Sequence, residues 1–344
     1  MEGIINRSNT NRKKRELNIL LYLLKAQTNL LKPEAHSFRP AILKMVTVAV
    51  VGPTSHMGQN LIKAILASTH QLVVLSRSAR PELVAQGVPV HVVKYDDHAL
   101  LAQALQGVDV LLSCIWAIDA HVSSHLALLA ACKEAGVKRF APSEWAVPVY
   151  DTITPYAPKR TVWEACLGSG LECTRFQCGV WTNILGYGAP HDAAGALSGY
   201  DGPPFAVQVD KRRARLALDG SGKVVFTRLQ DVAAFVVKAL DLPTWDADTY
   251  IVGDCVSFKD VVAMAEEVTG ETFEVTYSSK EEIEAGINSN DFFTMFLAQF
   301  EKAIAGGELE FGVGPNGGKK SLDKVFPEVK AWTVREFLQK HFAK

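Results

Sequence analysis

The sequence is almost without net charge: 36 Lys and Arg stand against 37 Asp and Glu, a formal −1 over 344 residues, which removes the electrostatic case for a nucleic-acid partner. It also lacks any apolar run long enough to cross a bilayer. Leu17 to Leu24 is apolar but is ended by Lys25, well short of the roughly 20 residues a spanning helix needs. Six cysteines include no C-x-x-C pair, and several fall inside apolar runs, so they read as reduced core residues of a cytoplasmic protein. Nine histidines are scattered without ligand spacing, and no metal is expected. Repeats and low-complexity tracts are missing too.

Residues 1–44 differ from the remainder. They hold nine Lys or Arg and three Glu, a formal +6, leaving −7 on the other 300 residues. Glu2, Glu16 and the asparagines argue against a signal peptide or mitochondrial presequence, so this is expected to be a basic, flexible extension, with the folded part starting at Met45. The 48% hydrophobic content lets a chain of this length bury a large core.

That folded part opens with VTVAVVGPTSHMG, a β-branched apolar run that breaks into a glycine loop before the helical stretch QNLIKAIL. A buried strand running into a helix N-terminus is a phosphate site, because unpaired amides and the helix dipole meet there. The spacing is not the full Gly-x-Gly-x-x-Gly. Gly52, Ser55 and Gly58 place serine at the middle position, where its Cβ narrows the approach of a pyrophosphate and its hydroxyl is able to donate to a phosphate oxygen. Thr54, His56 and Met57 complete the loop, and His56 is expected to offer its backbone amide, not its imidazole.

One unit further on, Leu72 to Leu75 form a second apolar run ending in Ser76, Arg77 and Ser78. An NAD-specific fold places Asp or Glu at this strand end to hold the ribose hydroxyls. Arg77, with Arg80 in reserve, suits a 2′-phosphate, so NADPH is the expected cofactor.

Strand and helix then alternate: strand 90–94, helix 98–106, strand 108–115, helix 121–135, strand 139–141, helix 158–168 and strand 171–176. This predicts a doubly wound parallel sheet, a Rossmann-type dinucleotide domain over 45–185. A smaller C-terminal substrate lobe is expected over 186–344. A strand and helix near 223–240 would return to the main domain, and helices near 257–269, 280–286 and 290–305 would close the pocket from water.

The segment GVDVLLSCIWAIDAHVSSHLALLAACKEAGVKRFAPSEWA, together with VVGPTSHMG, GLECTRFQCGVW, DGSGKVVFTRLQDVAAFVVKAL and FPEVKAWTVREFL, resembles the NmrA-like and isoflavone reductase-like branch of the atypical short-chain dehydrogenases. The resemblance covers most of residues 46–344, with KRFAPSEW its most specific piece. It implies that Lys159, eleven residues before Gly170, holds the nicotinamide ribose and acts as general base or proton relay. It further implies that Ser113, Cys114 and Ile115 pass beside the cofactor. The Tyr-x-x-x-Lys pair of ordinary short-chain dehydrogenases is absent. Tyr156-Ala-Pro-Lys159 has one residue fewer, so Tyr156 lines the pocket at most.

Glu144 is a candidate for orienting a water or the substrate, with a cap or loop hydrogen bond as the competing role. Trp116, Trp145 and Trp181 are expected near strand ends as flat walls for an aromatic or cyclic small molecule, and Asn183 as an orienting donor. Two functions fit: an NADPH-dependent reductase of a C=C, C=O or C=N bond in a small metabolite, or an NmrA-type regulatory protein that senses the dinucleotide without turnover. Lys159 favours the first and Ser55 keeps the second open.

Overall fold

A computed structural model describes residues 45–117, 120–313 and 321–344, so the basic segment 1–44 lies outside the described residues. Strand β1 (Thr47–Val51) is small and β-branched because it is covered on both faces. Val48 and Val50 point into one core with Met57, Leu61 and Ile65 of helix α1 (His56–Leu66). Ala49 and Val51 point into the other, with residues of α2 (His98–Ala104), α3 (His121–Ala135) and α4 (Ala157–Leu167).

Around β1 lie β2 (Gln71–Ser76), β3 (Val90–Val92), β4 (Val110–Ser113), β5 (Arg139–Ala141) and β6 (Glu172–Cys173). All pair in parallel, in the order β3-β2-β1-β4-β5-β6. The chain reverses its direction of travel across the sheet between β1 and β4. Their carboxyl ends therefore flank the crevice where such sheets bind ligands.

The strand expected over 171–176 is broken at Thr174, whose hydroxyl bonds Thr249 at 2.7 Å. Beyond the break, β7 (Arg175–Gln177) leaves the main sheet and pairs with β12 (Asp248–Tyr250). β8 (Val180–Trp181) starts a separate three-stranded sheet with β11 (Lys223–Thr227) and β13 (Asp254–Ser257). This corrects one expectation: the strand near 223 does not return to the main sheet, because Val224 and Phe226 belong to the lobe's own core. Only the helix after it, α5 (Leu229–Ala239), comes back, packing Leu229, Val232, Phe235 and Val236 into the core beneath α1.

The excursion 186–215 yields β9 (Val207–Gln208) and leads into β10 (Arg213–Ala217), which pairs with β14 (Glu274–Ser278). Helices α6 (Phe258–Thr269), α7 (Lys280–Ile287), α8 (Phe292–Ala305) and α9 (Val334–Phe342) complete the lobe. Among the described residues no helix is long and apolar enough to cross a membrane.

Candidate active site

The carboxyl ends of the parallel strands open into a cavity of about 910 Å³. Its floor at one end is the loop between β1 and α1. Gly52 has φ +79°, and a Cβ there would meet the Cys114 backbone at 2.9 Å. A Cβ on Gly58 would meet the Gly52 carbonyl oxygen at 2.2 Å. Both positions therefore need glycine, and the loop is drawn tight against β4.

Ser55 completes this turn in a way the spacing did not reveal. Its hydroxyl donates to the Gly52 carbonyl at 2.9 Å and accepts from the Gly58 amide at 3.0 Å, capping α1. The expected phosphate donation is corrected accordingly, since the hydroxyl hydrogen is already committed. The His56 side chain is engaged within the protein. Its imidazole pairs with the Asp201 carboxylate and packs against the Trp181 and Tyr200 rings. Thr54 and Met57 line the cavity, while Gly58 does not.

At the end of β2 the cavity is bounded by Ser76, Arg77, Ser78, Arg80 and Tyr95. Arg77 is exposed, whereas the Arg80 Nε donates to the Ser76 hydroxyl at 3.2 Å and is held to the strand end. Among the described residues Arg77 is thus the less engaged of the two guanidiniums.

After β4, Cys114 and Ile115 line the cavity but Ser113 does not. The Ser113 side chain is fully buried against His125 Nε2 at 2.9 Å, and its carbonyl accepts from Trp145 Nε1 at 2.7 Å. Its expected place beside the cofactor is therefore corrected. His125 Nδ1 donates in turn to the His121 carbonyl at 2.7 Å. Burial pushes the proton affinity of His125 down to about 4, keeping the imidazole neutral as an acceptor for Ser113. Trp145 is 4% exposed and stacks on Phe176 at 5.4 Å, and it also lines the cavity.

The far end is built around Lys159, in the first turn of α4, with only 4% of its surface exposed. Its Nζ donates to the Glu144 carbonyl at 3.1 Å and lies 4.0 Å from Glu144 Oε2. The Tyr156 ring is 4.8 Å away and the Trp116 ring 5.4 Å. Burial lowers the proton affinity of the amine, and the Glu144 charge works against that shift. Glu144 is displaced the opposite way: burial raises its carboxyl, opposed by Lys159 and Arg175. Trp116 is half exposed at the mouth and edge-on to Tyr156, as a wall requires. Trp181 also lines the cavity, on the phosphate-loop side against His56.

Asn183 is the clearest miss. It is fully buried outside the cavity, donating to the Ala196 carbonyl and accepting from the Leu229 amide, both at 2.8 Å, and so fastens the start of α5. Tyr95, Ser124, Asp201, Gly202 and Phe296 line the cavity without having been expected. HVSSH, with its i, i+4 histidines at a helix start, could have signalled the buried His121–His125 pair. Nothing local marks Asp201 or Phe296, which arrive from the lobe.

A tight glycine turn, a capped helix start and a free guanidinium one strand over define a Rossmann-like protein with a cavity fitted to a phosphorylated dinucleotide. The chain belongs to the NmrA-like family, whose profile matches residues 44–338. Among similar proteins is a phenylcoumaran benzylic ether reductase of Ginkgo biloba, 27% identical over 85% of this chain and 97% of its own length. A bifunctional pinoresinol-lariciresinol reductase of Thuja plicata is also 27% identical, covering 86% and 98%. Eugenol synthase 1 of Petunia hybrida is 26% identical, with the same coverage of 86% and 98%. Among solved structures, AtPrR2 with NADP+ and (+)-pinoresinol superposes with a TM-score of 0.70 at 25% identity, covering 86% of this chain and 98% of that one. Leucoanthocyanidin reductase from Vitis vinifera has the same fold, with a TM-score of 0.69 at 20% identity and coverage of 85% and 98%.

Proposed function

We propose that this protein is an NADPH-dependent reductase of a small aromatic or cyclic metabolite, reducing a C=C, C=O or C=N bond, and that it works in the cytoplasm within secondary metabolism. The carrying observation is Lys159, a buried amine of lowered proton affinity at one end of a cavity whose other end holds the glycine turn and Arg77. The reductase names of the relatives support the same reading, and six free cysteines fit a reducing compartment.

Gly52 to Gly58 would receive the pyrophosphate on main-chain groups at the start of α1. Arg77 and Ser78 would hold the 2′-phosphate. When bound, reduced nicotinamide supplies a hydride. Lys159 orients the ribose and manages the proton that must accompany reduction, with an affinity brought toward neutrality by its surroundings. Trp116, Tyr156 and Phe296 present flat apolar faces to the substrate and exclude water. The regulatory reading loses its motive, because Ser55 serves as the helix cap within an intact turn.

The test is NADPH oxidation with a panel of enones, cyclic imines, aromatic ketones and benzylic ethers. One class should turn over in the wild type and fail in Lys159→Met, which should still bind NADPH. No turnover of any class, with dinucleotide binding intact, would favour a sensor instead.

A further inference from the structure

We propose that Glu144 is the second half of the proton donor: one proton is shared between its carboxyl group and Lys159 Nζ, and the pair, not the lysine alone, protonates the substrate. The inference rests on the reductase reading above and assigns a role to a group that this reading leaves idle.

Glu144 and Lys159 are 3% and 4% exposed, and Nζ is held beside Oε2 at 4.0 Å by its hydrogen bond to the Glu144 carbonyl. Neither group is saturated. Among the described residues Glu144 Oε1 is buried with no hydrogen-bond partner, and the amine, with up to three donors, finds its one acceptor in that carbonyl. A buried ion pair kept for stability needs its remaining positions filled, because desolvation of both charges is otherwise uncompensated. Glu144 and Lys159 both line the cavity, and unfilled positions on such a pair fit the exchange of a proton with a ligand.

A brace behind the carboxylate sets its charge. Arg175 Nη1 donates to the Tyr150 hydroxyl oxygen at 3.0 Å, and its Nε donates to Asp248 at 2.7 Å. With its oxygen already accepting, the Tyr150 hydroxyl can turn its hydrogen toward the neighbouring Glu144. Arg175 and Tyr150 favour the carboxylate, while burial favours the neutral acid. The other titratable groups around Lys159 are uncharged: the Tyr156 hydroxyl, which burial pushes up, His121 and His125 of α3, pushed down to about 3 and 4, and the Cys178 thiol, pushed up to about 12. Burial thus works against the charged form of each member, and the proton has a place on either.

The charges balance. Before reaction the pair carries one proton and no net charge. The substrate takes two electrons and one hydrogen from the reduced nicotinamide, and a proton from the pair. What remains is a carboxylate and a neutral amine, net −1, beside an oxidised ring that has gained +1. Water returns the proton after product leaves.

Calorimetry of dinucleotide binding at pH 7, in buffers of differing ionisation enthalpy, reads this without turnover. In the wild type NADP+ should release part of a proton and NADPH none. Glu144→Gln should release less on binding NADP+, because the buried amine loses the carboxylate that holds the shared proton. Its alkaline limb in a kcat–pH profile should move down by about one unit or more, a roughly tenfold loss at pH 8. Equal release by wild type and Glu144→Gln would overturn the proposal. Should Glu144→Gln fail to fold, Tyr150→Phe decides: a smaller release supports the shared proton and an unchanged one refutes it. Failure of the wild type to bind either dinucleotide would instead refute the functional reading beneath it.

Discussion

Gly58 sits directly beneath Gly52, so near that a Cβ on the first would meet the carbonyl oxygen of the second at 2.2 Å. That oxygen also accepts from the Ser55 amide and hydroxyl. Gly58→Ala must therefore push the whole turn outward. We expect an overpacking loss of about 1–3 kcal/mol in stability, together with loss of dinucleotide binding, read by thermal melts and calorimetry. Unchanged affinity would mean the turn is not where phosphate binds.

Arg77 and Arg80 separate a free guanidinium from a tethered one. Arg77→Ala should weaken NADPH by about 1–3 kcal/mol, as for a lost charge-assisted hydrogen bond, and leave NADH nearly unchanged. Arg80→Ala should cost less, since its Nε is engaged by Ser76. Competition binding against both dinucleotides measures the ratio, and equal losses for the two cofactors would refute a 2′-phosphate contact at Arg77.

Asn183 and Trp116 should behave as opposites. Asn183→Ala leaves the Leu229 amide and Ala196 carbonyl without their partner, a cost of about 2 kcal/mol or more in stability, with KM unchanged. Trp116 is 47% exposed at the cavity mouth, so Trp116→Ala should raise substrate KM while the melting temperature barely moves. Melting curves alongside steady-state kinetics distinguish the two, and a KM effect from Asn183→Ala would contradict its structural assignment.

His125 should make the fold acid-sensitive. Its folded-state value lies near 4, below the ordinary 6.5, so the unfolded chain binds the extra proton as pH falls through 6.5. Stability is full above that value and declines toward pH 4, by up to about 3 kcal/mol. Denaturant titrations of wild type and His125→Gln check it: the substitution should flatten the slope between pH 6.5 and 4.

Much of this was legible because it is written locally. β1 and its glycine turn and the α3 helix with Gly136 at its end follow from short-range pattern and backbone rules, whereas Lys159, three residues after Tyr156 at the start of α4, was marked only by the resemblance to isoflavone reductase-like proteins. Arg77 was legible because a strand end fixes where the next residue stands. Ser113 was misread because it points inward from a strand end, and only packing against His125 decides that direction. Asn183 carries the same polar group whether it faces a ligand or a helix start, so its type alone could not separate the two. The pairing of β11 with β8 and β13 depended on the break at Thr174, a tertiary event with no local mark.

The contact of His56 with Asp201 reaches beyond either residue. Asn60, one turn along α1, grips Ser198 by two hydrogen bonds of 2.7 and 2.9 Å, so the segment 198–202 is stitched to the very helix whose first turn lines the cavity. Damage to the lobe is thereby felt at the opposite end of the groove. A substitution remote from every reacting atom can surface as poor retention of the dinucleotide, and a full groove should steady the lobe against heat in return.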